Sequence, residues 1–266
     1  MPLHHWRDLT TADFEDFDAQ RDVALVPLGA IEQHGPHLPL STDAVIAEEV
    51  AERAAAMAAE RVRIIVLPCQ NIGQSIEHVD FPGTLTAPTE TLLQSWAAIG
   101  EGVHRAGLRK IVFLNAHGGQ PQVMEIVVQD LRVRFGLFAV ASSWWLMGLP
   151  DIGIDEEEIR HGIHGGLIET SMMQYLRPQH VRMTHAGNFR SVLPGLEARY
   201  EQLRLLGGVS AGWQAQDLHP LGVAGNAAAA TPEMGAAIVD HVVARFATLL
   251  VEVSDYELEN LEHRPA

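Results

Sequence analysis

Two segments of the chain carry carboxylate and imidazole side chains at a spacing that suits metal binding. Glu32 and His34 are separated by one residue, so in an extended segment both side chains point to the same side. Asp43 follows nine residues after His34, and His117 lies in a later segment with the sequence NAHGGQ. Oxygen and nitrogen ligands without a thiolate suit Zn²⁺ or Mn²⁺, and Asp43 could bridge two ions. The pattern therefore predicts a metal centre that activates water.

A third segment, with the sequence HGIHGGLIETS over residues 161–171, adds another carboxylate and a titratable imidazole. Glu169 supplies the carboxylate and His164 the imidazole, which makes enough ligands for two ions that keep positions open to water. Gly118 and Gly119 follow the histidine of the NAHGGQ segment, and because glycine has no Cβ they let the backbone approach a ligand closely. We expect these two glycines to contact the substrate.

Each of these residues also has a structural explanation when it is taken alone. A carboxylate at Asp43 is favoured by the dipole at a helix N-terminus, and Glu169 suits a solvated position on a helix. Gly118 and Gly119 fit an ordinary turn between a strand and a helix. The combination of a Glu-x-His pair, a later aspartate and a second His-Gly-Gly loop is much harder to obtain by chance. The joint pattern therefore favours the metal interpretation.

Alternating strand and helix patterns place these residues at one edge of a sheet. Apolar runs rich in β-branched residues predict strands over residues 23–28, 62–67, 110–114 and 137–141. Helical spacing of apolar residues predicts helices over residues 43–60, 89–106 and 122–135. This order is typical of an α/β fold with a parallel sheet covered by helices. Ligands bind such sheets beyond the carboxyl ends of the strands, where Glu32 and His117 fall.

The chain after Pro150 has a less regular pattern. An acidic loop is predicted over residues 151–158, a helix over 167–176, many turns over 184–226 and a last helix over about 232–252. No linker rich in Pro, Gly or Ser divides the chain. The sequence therefore predicts one α/β domain over residues 1–266 with a loop-rich C-terminal third.

His78 begins the sequence HVDFPGT, in which Pro82 and Gly83 favour a tight turn. A turn of this kind gives the histidine a structural role. A position at the rim of the pocket, or in a subunit contact, is the alternative. The sequence leaves both interpretations open.

The composition excludes some classes of partner. The 266-residue chain carries 18 Lys and Arg against 34 Asp and Glu, a formal net charge of −16. Nucleic-acid affinity comes largely from basic side chains that displace counterions, so we expect no nucleic-acid partner. The single cysteine, Cys69, excludes an internal disulfide and a cysteine-based zinc cluster. Without a signal-peptide pattern or an apolar run of about 20 residues, we expect a cytoplasmic protein with no membrane partner.

These motifs together resemble those of the creatininase family of metal-dependent amidohydrolases. The matching stretches span most of the chain in family order and are VPLGAIEQHGPHLPLSTD (26–43), EHVDFPGTLT (77–86), LNAHGGQ (114–120), HGGLIETS (164–171) and GVAGNAAAATPEMG (222–235). The resemblance implies a three-layer α/β/α sandwich with a mostly parallel sheet. It also implies two divalent ions per subunit, Zn²⁺ and/or Mn²⁺, hydrolysis of a non-peptide C–N bond, and a homohexamer.

The resemblance also implies a role for each site residue. One ion would be held by Glu32, Asp43 and His117, and the other by His34, Asp43 and one further carboxylate. Creatinine amidohydrolases have that carboxylate two residues after the loop histidine, where this chain has Gly119. Glu169 is the expected replacement, as a ligand and as a catalytic group that orients water. His164 matches the family histidine that moves protons.

The chain departs from the family pattern at the substrate position too. The resemblance calls for a tryptophan four residues before His164, and this chain has Arg160 there, which argues against creatinine as the substrate. We expect Trp144 and Trp145 to line the pocket instead. Arg160 either binds a carboxylate on the substrate, as a guanidinium group does bidentately, or forms a salt bridge with the acidic loop.

The leading hypothesis is an amidohydrolase that acts on a small, cyclic amide. A hydroxide that bridges the two ions would attack the carbonyl carbon, and His164 would pass a proton to the departing nitrogen. Two alternatives use the same centre, namely a deformylase of a pyrimidine-type intermediate and a peptidase that trims a cofactor precursor peptide. A nucleotide-binding α/β protein is the alternative of another class, but no Gly-x-Gly-x-x-Gly or Walker-type loop follows the first predicted strand.

Overall fold

A parallel sheet forms the centre of the computed structural model, which describes residues 4–207, 209 and 211–261. Its five strands are β1 (His4–His5), β2 (Val23–Leu28), β3 (Ile64–Val66), β4 (Lys110–Asn115) and β5 (Phe138–Ser143). They lie in the order β1-β3-β2-β4-β5 and all pair in parallel. The residues of β2, β3 and β4 are buried throughout, as expected for parallel strands that helices cover on both faces.

Helices cover the two faces of the sheet and make the three-layer α/β/α arrangement that we predicted. The helices are α1 (Thr42–Ala58), α2 (Thr89–Arg105), α3 (Pro121–Phe135), α4 (Glu156–His161), α5 (Leu167–Leu176), α6 (Leu193–Arg199), α7 (Ala215–Leu218) and α8 (Pro232–Asp255). Apolar residues of α1, α5 and α8 share one buried cluster with the sheet, and those of α2 and α3 share another. The strands divide between the clusters by alternation, because Leu25 faces the first while Ala24 and Val26 face the second.

The pairing of β2 with β4 brings together two of the segments that are predicted to carry metal ligands. Leu28, at the end of β2, pairs with Asn115, at the end of β4, so the loops that follow both strands leave the same edge of the sheet. The Ala116 amide donates to the Leu28 carbonyl at 2.9 Å and extends the pairing by one residue. The segments around Glu32 and His117 are therefore neighbours in space.

α4 lies partly in the segment that the sequence predicts to be an acidic loop. Asp155 caps the helix, since its side chain accepts a hydrogen bond from the Glu157 amide at 2.8 Å. Three glutamates follow in the first turn, where negative charge is stabilised by the helix dipole. The loop prediction over 151–158 is therefore wrong for its last three residues. The helix predictions over 167–176 and 232–252 are confirmed, and α8 continues to Asp255.

α8 is long and apolar enough to cross a membrane by length and composition alone. Half of its most apolar stretch is buried, and it packs against α1 and α5. The core helix of a folded domain meets the same two criteria. Its apolar composition is explained by this packing.

Lys110, the first residue of β4, is fully buried and joins the sheet to the end of α8. Its Nζ donates to the Ser254 carbonyl at 2.6 Å and to the Tyr256 carbonyl at 2.7 Å. These bonds satisfy carbonyl groups that the end of a helix otherwise leaves unpaired. They offset part of the cost of burying an ammonium group, and burial still lowers the pKa of Lys110.

We expect Lys110→Met to lower the free energy of unfolding by roughly 2–4 kcal/mol, because charge-assisted bonds to two carbonyl groups are lost. Urea unfolding followed by circular dichroism measures the change. Arg245→Met removes an exposed positive charge from α8 and serves as the matched control. A loss in Lys110→Met no larger than in the control would show that these bonds contribute little.

Candidate metal centre

The five predicted ligands meet at the carboxyl edge of β2 and β4. Their positions are Glu32 and His34 in the loop after β2, Asp43 in the first turn of α1, His117 after β4, and Glu169 in the first turn of α5. The loop after β2 is held by two backbone hydrogen bonds, from the Glu32 amide to the Leu40 carbonyl at 2.9 Å and from the Leu85 amide to the Ile31 carbonyl at 2.8 Å. The ligands thus come from four separate parts of the chain.

Three sets of side chains could each hold an ion among the described residues, and the two sets made of predicted ligands alone share Asp43. In the first, His117 Nδ1 lies 3.2 Å from Glu32 Oε2 and 3.5 Å from Asp43 Oδ2. In the second, His34 Nε2 lies 3.3 Å from Asp43 Oδ1 and 3.9 Å from Glu169 Oε2. The three ligand atoms of each group lie within 4.8 Å of one another, a spacing that one metal ion could span.

Backbone carbonyl groups orient the two histidines. His34 Nδ1 lies 3.1 Å from the Glu32 carbonyl and His117 Nε2 lies 2.6 Å from the Gln74 carbonyl. A ring N–H that donates to a carbonyl leaves the other nitrogen directed at the carboxylates. Metal-binding histidines are commonly fixed by an outer hydrogen bond of this kind.

Several buried polar atoms at this centre have no hydrogen-bond partner among the described residues. They are both carboxylate oxygens of Glu32, the Nε2 atom of His34 and the Oδ2 atom of Asp43. Unpaired polar atoms that are shielded from water are costly, so each needs a partner. Divalent cations would satisfy all of them at once, and carboxylate with imidazole is the donor set that Zn²⁺ and Mn²⁺ accept. The residues present therefore fit the two ions that the sequence predicts.

The carboxylates dominate the electrostatics of both histidines. Burial lowers the pKa of His34, but the charges of Asp43, Glu169 and Glu32 outweigh burial and raise that pKa to about 10. Burial likewise lowers the pKa of His117, and Glu32 and Asp43 raise it to about 10. Without metal, both rings therefore carry a proton at neutral pH.

We expect metal binding at pH 7 to release at least two protons, because His34 and His117 must lose theirs and Glu169, whose pKa burial raises to about 7, is partly protonated as well. Metal affinity should accordingly rise as the pH increases from 7 towards 10. Calorimetric titration of metal-free protein with Zn²⁺, in buffers with different ionisation enthalpies, measures the number released. Heats that do not depend on the buffer would contradict this expectation.

His164 lies beside the ligand groups with one nitrogen free. Its Nε2 lies 2.8 Å from the Gln33 carbonyl, and its Nδ1 lies 3.8 Å from Glu32 Oε1. Burial, together with the positive charges of His34 and His78, lowers the pKa of His164 well below its ordinary value. A neutral ring that donates through Nε2 presents the Nδ1 lone pair towards the centre. The orientation leaves Nδ1 available to accept a proton, while the surroundings in the metal-free protein reduce the basicity of the ring.

His78 is also part of the centre, which corresponds to the pocket interpretation of the HVDFPGT sequence. Its ring is buried, its Nδ1 lies 2.8 Å from Gln33 Nε2, and its Nε2 lies 3.4 Å from Glu32 Oε1. Burial and the charges of His34 and His117 lower the pKa of His78 to about 3. Gln33 thus holds two neutral imidazoles at the side of the ligands, His78 through its side-chain amide and His164 through its backbone carbonyl.

A cavity of about 380 Å³ opens onto the centre. Its walls include the predicted Trp144, Trp145, Gly118 and Gly119, and residues that sequence reasoning missed, namely Glu77, Ile159, Ile163, Leu206 and Trp213. Such a cavity, with apolar walls and a few polar groups at one end, is typical of a small-molecule site. Trp213 lies far from the metal-binding motifs in sequence, and no local pattern signals its position.

Arg160 does not line this cavity. Its guanidinium group is largely exposed and lies 2.8 Å from Glu197 Oε2 in α6. Of the two predicted roles, the structure places the arginine in a salt bridge, with a partner in α6 instead of the acidic loop. Arg160 lies in α4, which ends at His161, so it belongs to a different element from the loop that carries His164.

The model of the creatininase family, described as creatinine amidohydrolase, matches residues 7–250. The chain belongs to the creatininase family. A mycofactocin precursor peptide peptidase from Mycobacterium tuberculosis is 34% identical over 235 residues, which are 84% of each chain. Members of the creatininase family are hydrolases of C–N bonds, and this chain is a hydrolase of that family.

Solved structures of creatininases share this fold. A putative creatinine amidohydrolase from Bacteroides fragilis superposes with a TM-score of 0.80 at 24% identity, covering 97% of this chain and 99% of the other. Two further creatininases, one described as a manganese form and one as a mutant of Zn–Zn type, give TM-scores of 0.75 and 0.76 at 22% identity. Both comparisons cover 96% of this chain and 100% of the other. Zinc and manganese are thus the metals named for its structural neighbours.

Proposed function

We propose that this creatininase-family chain hydrolyses the C–N bond of an amide with the help of two divalent ions, Zn²⁺ and/or Mn²⁺. The observation that carries the proposal is the sharing of Asp43 by two ligand groups, in which buried atoms of Glu32, His34 and Asp43 lack hydrogen-bond partners. Two such ions lower the pKa of a bound water and polarise the amide carbonyl. The fold alone would not support this function, because α/β sheets host many chemistries.

The remaining site residues have complementary roles in this proposal. His164 accepts a proton through Nδ1 and returns it to the departing nitrogen, while the Gln33 carbonyl keeps the ring in the required orientation. Glu169 holds one ion, and its Oε2 also accepts a hydrogen bond from the Gly165 amide at 2.6 Å. The hydrogen bond fixes the loop that carries His164 relative to the metal ligands.

The cavity favours a compact amide with an apolar body. Tryptophan and isoleucine side chains form much of its wall, and among the described residues no arginine or lysine lines it. An acidic substrate, which Arg160 would have suited, is therefore not favoured. We propose a small amide, with a cyclic amide as the first class to test.

A second candidate is hydrolysis of a precursor peptide. The support is the 34% identity with a mycofactocin precursor peptide peptidase, which extends over 84% of each chain. An apolar cavity beside the ions would take the side chain next to the scissile bond. This candidate uses the same ions and the same proton relay as the first.

A substrate screen with metal-loaded protein tests both candidates. Lactams, hydantoins and other cyclic amides, N-formyl compounds, and peptides with apolar C-terminal residues are incubated with the Zn²⁺ and Mn²⁺ forms. Mass spectrometry follows ring opening, formate release and peptide cleavage. We expect turnover in one class, abolished by a chelator and restored by metal. Failure of every class, or turnover that a chelator leaves unchanged, would overturn the proposal.

A further inference from the structure

We propose that Glu77 recognises a cationic or N–H-rich group of the substrate, such as an amine, amidine or ring nitrogen that carries hydrogen. The inference rests on the proposed function in one respect, namely that the cavity beside the ions is the substrate cavity. It adds to that function a residue outside the two ligand groups and a chemical class for the substrate. The evidence for this inference is the position of the Glu77 carboxylate.

Glu77 reaches the cavity from the short 3-10 helix Ile76–His78. Its side chain is only 11% exposed, and its Oε1 lies 3.6 Å from His117 Nε2 and 4.0 Å from His78 Nε2. Both distances exceed a hydrogen bond. His117 Nε2 already has the Gln74 carbonyl as its partner at 2.6 Å. The carboxylate therefore stands beside the ligand groups without belonging to either of them.

Gly119 provides the space that this carboxylate occupies. A Cβ atom at position 119 would overlap Glu77 Oε1, and it would also crowd His117 Nε2 and the Gln74 carbonyl. Position 119 is where the resemblance to creatinine amidohydrolases calls for a carboxylate on the loop itself. In this chain the loop carries no side chain there, and a carboxylate from another segment lies against it. A carboxylate thus lies at this wall of the cavity, but the segment of Glu77 supplies it in place of the loop.

The Glu77 carboxylate has no hydrogen-bond donor beyond the backbone of Glu77 itself among the described residues. No other residue in the described part of the chain donates a hydrogen bond to it. A carboxylate that is nearly buried and faces a largely apolar cavity needs a donor, because the loss of hydration is not compensated otherwise. A substrate N–H or a cationic nitrogen supplies that donor, and charge-assisted bonds of this kind are short and strong.

Binding of three small aromatic probes to Mn²⁺-loaded protein tests the proposal without any turnover. Benzamidine is cationic and rich in N–H groups, benzamide is neutral with an N–H group, and acetophenone has none. Trp144, Trp145 and Trp213 line the cavity, so quenching of tryptophan fluorescence reports occupancy. We expect the unchanged protein to bind benzamidine most tightly. In Glu77→Gln, we expect benzamidine affinity to fall by at least about tenfold and acetophenone affinity by less than about twofold.

Two further variants complete the experiment. Glu77→Asp keeps the charge and should retain the preference for benzamidine, while Glu125→Gln removes an exposed carboxylate from α3 and should change nothing. Metal content is measured in every variant. The proposal fails if benzamidine and acetophenone weaken equally in Glu77→Gln, or if Glu77→Gln loses an ion, since Glu77 would then be a ligand. Discrimination between the probes without hydrolysis of any amide would instead contradict only the proposed function.

Discussion

Asp43→Ala is expected to remove both ions and to lower kcat/KM by roughly 10⁴-fold or more, because the activated water is lost together with them. Asp43 is the one ligand that belongs to both groups, with His34 and Glu169 on one side and Glu32 and His117 on the other. Removal of any other ligand leaves one group intact. The expected order of metal loss is therefore Asp43 first, followed by residues of a single group.

Metal content of Asp43→Ala is measured by mass spectrometry of dialysed protein, and activity is measured with the substrate found in the screen. Glu90→Gln is the matched control, since Glu90 also lies in the first turn of a helix but is exposed and belongs to none of the ligand groups. Far-UV circular dichroism establishes that the fold persists. Two retained equivalents of metal in Asp43→Ala would contradict the shared role of this aspartate.

His164→Gln is expected to lower kcat by roughly 10²–10⁴-fold while the protein keeps both ions. The ring donates to the Gln33 carbonyl and turns Nδ1 towards the centre, which is the geometry of a proton relay. Glutamine preserves a polar side chain but cannot accept and return a proton at this position. Metal content is measured together with turnover, because only this measurement separates a role in proton transfer from a role as a metal ligand.

The competing role for His164 is that of a ligand, because His164, Glu32 and His34 also offer three atoms within 4.8 Å of one another. Loss of an ion in His164→Gln would favour that role and contradict the relay. His161→Gln is the matched control, since His161 lies on the same stretch of chain but pairs with Glu197 at 3.2 Å. We expect this control to keep both metal content and turnover.

Much of the fold follows from local sequence patterns. The strands β2 and β4 are continuous apolar runs, and such runs are buried on both faces of a parallel sheet, so their positions were predictable. The prediction that Glu32 and His117 meet depended only on parallel pairing of neighbouring strands, whose carboxyl ends share one edge. Asp155 is a helix N-cap whose residue type signals the start of a helix, and α4 follows it in place of the predicted loop.

Other parts of the site could not be predicted from local patterns. Glu77 and His78 lie in a segment held by tertiary hydrogen bonds, from the Ser75 amide to Thr86 Oγ1 at 2.9 Å and from the Gln74 amide to Gln120 Oε1 at 3.2 Å. Contacts of this kind depend on the fold as a whole. The salt bridge between Arg160 and Glu197 in α6 is likewise a long-range contact. The residues next to Arg160 in sequence therefore do not indicate that its side chain lies outside the cavity.

The buried ammonium group at the start of β4 has a practical consequence, because Lys110 is the only lysine in the sequence. Acylating reagents such as N-hydroxysuccinimide esters meet no accessible side-chain amine while the chain is folded. Acylation of Lys110 requires β4 and the end of α8 to separate, which exposes Nζ to the reagent. The rate of that single acylation, followed by mass spectrometry under native conditions, therefore measures how often the central layer opens.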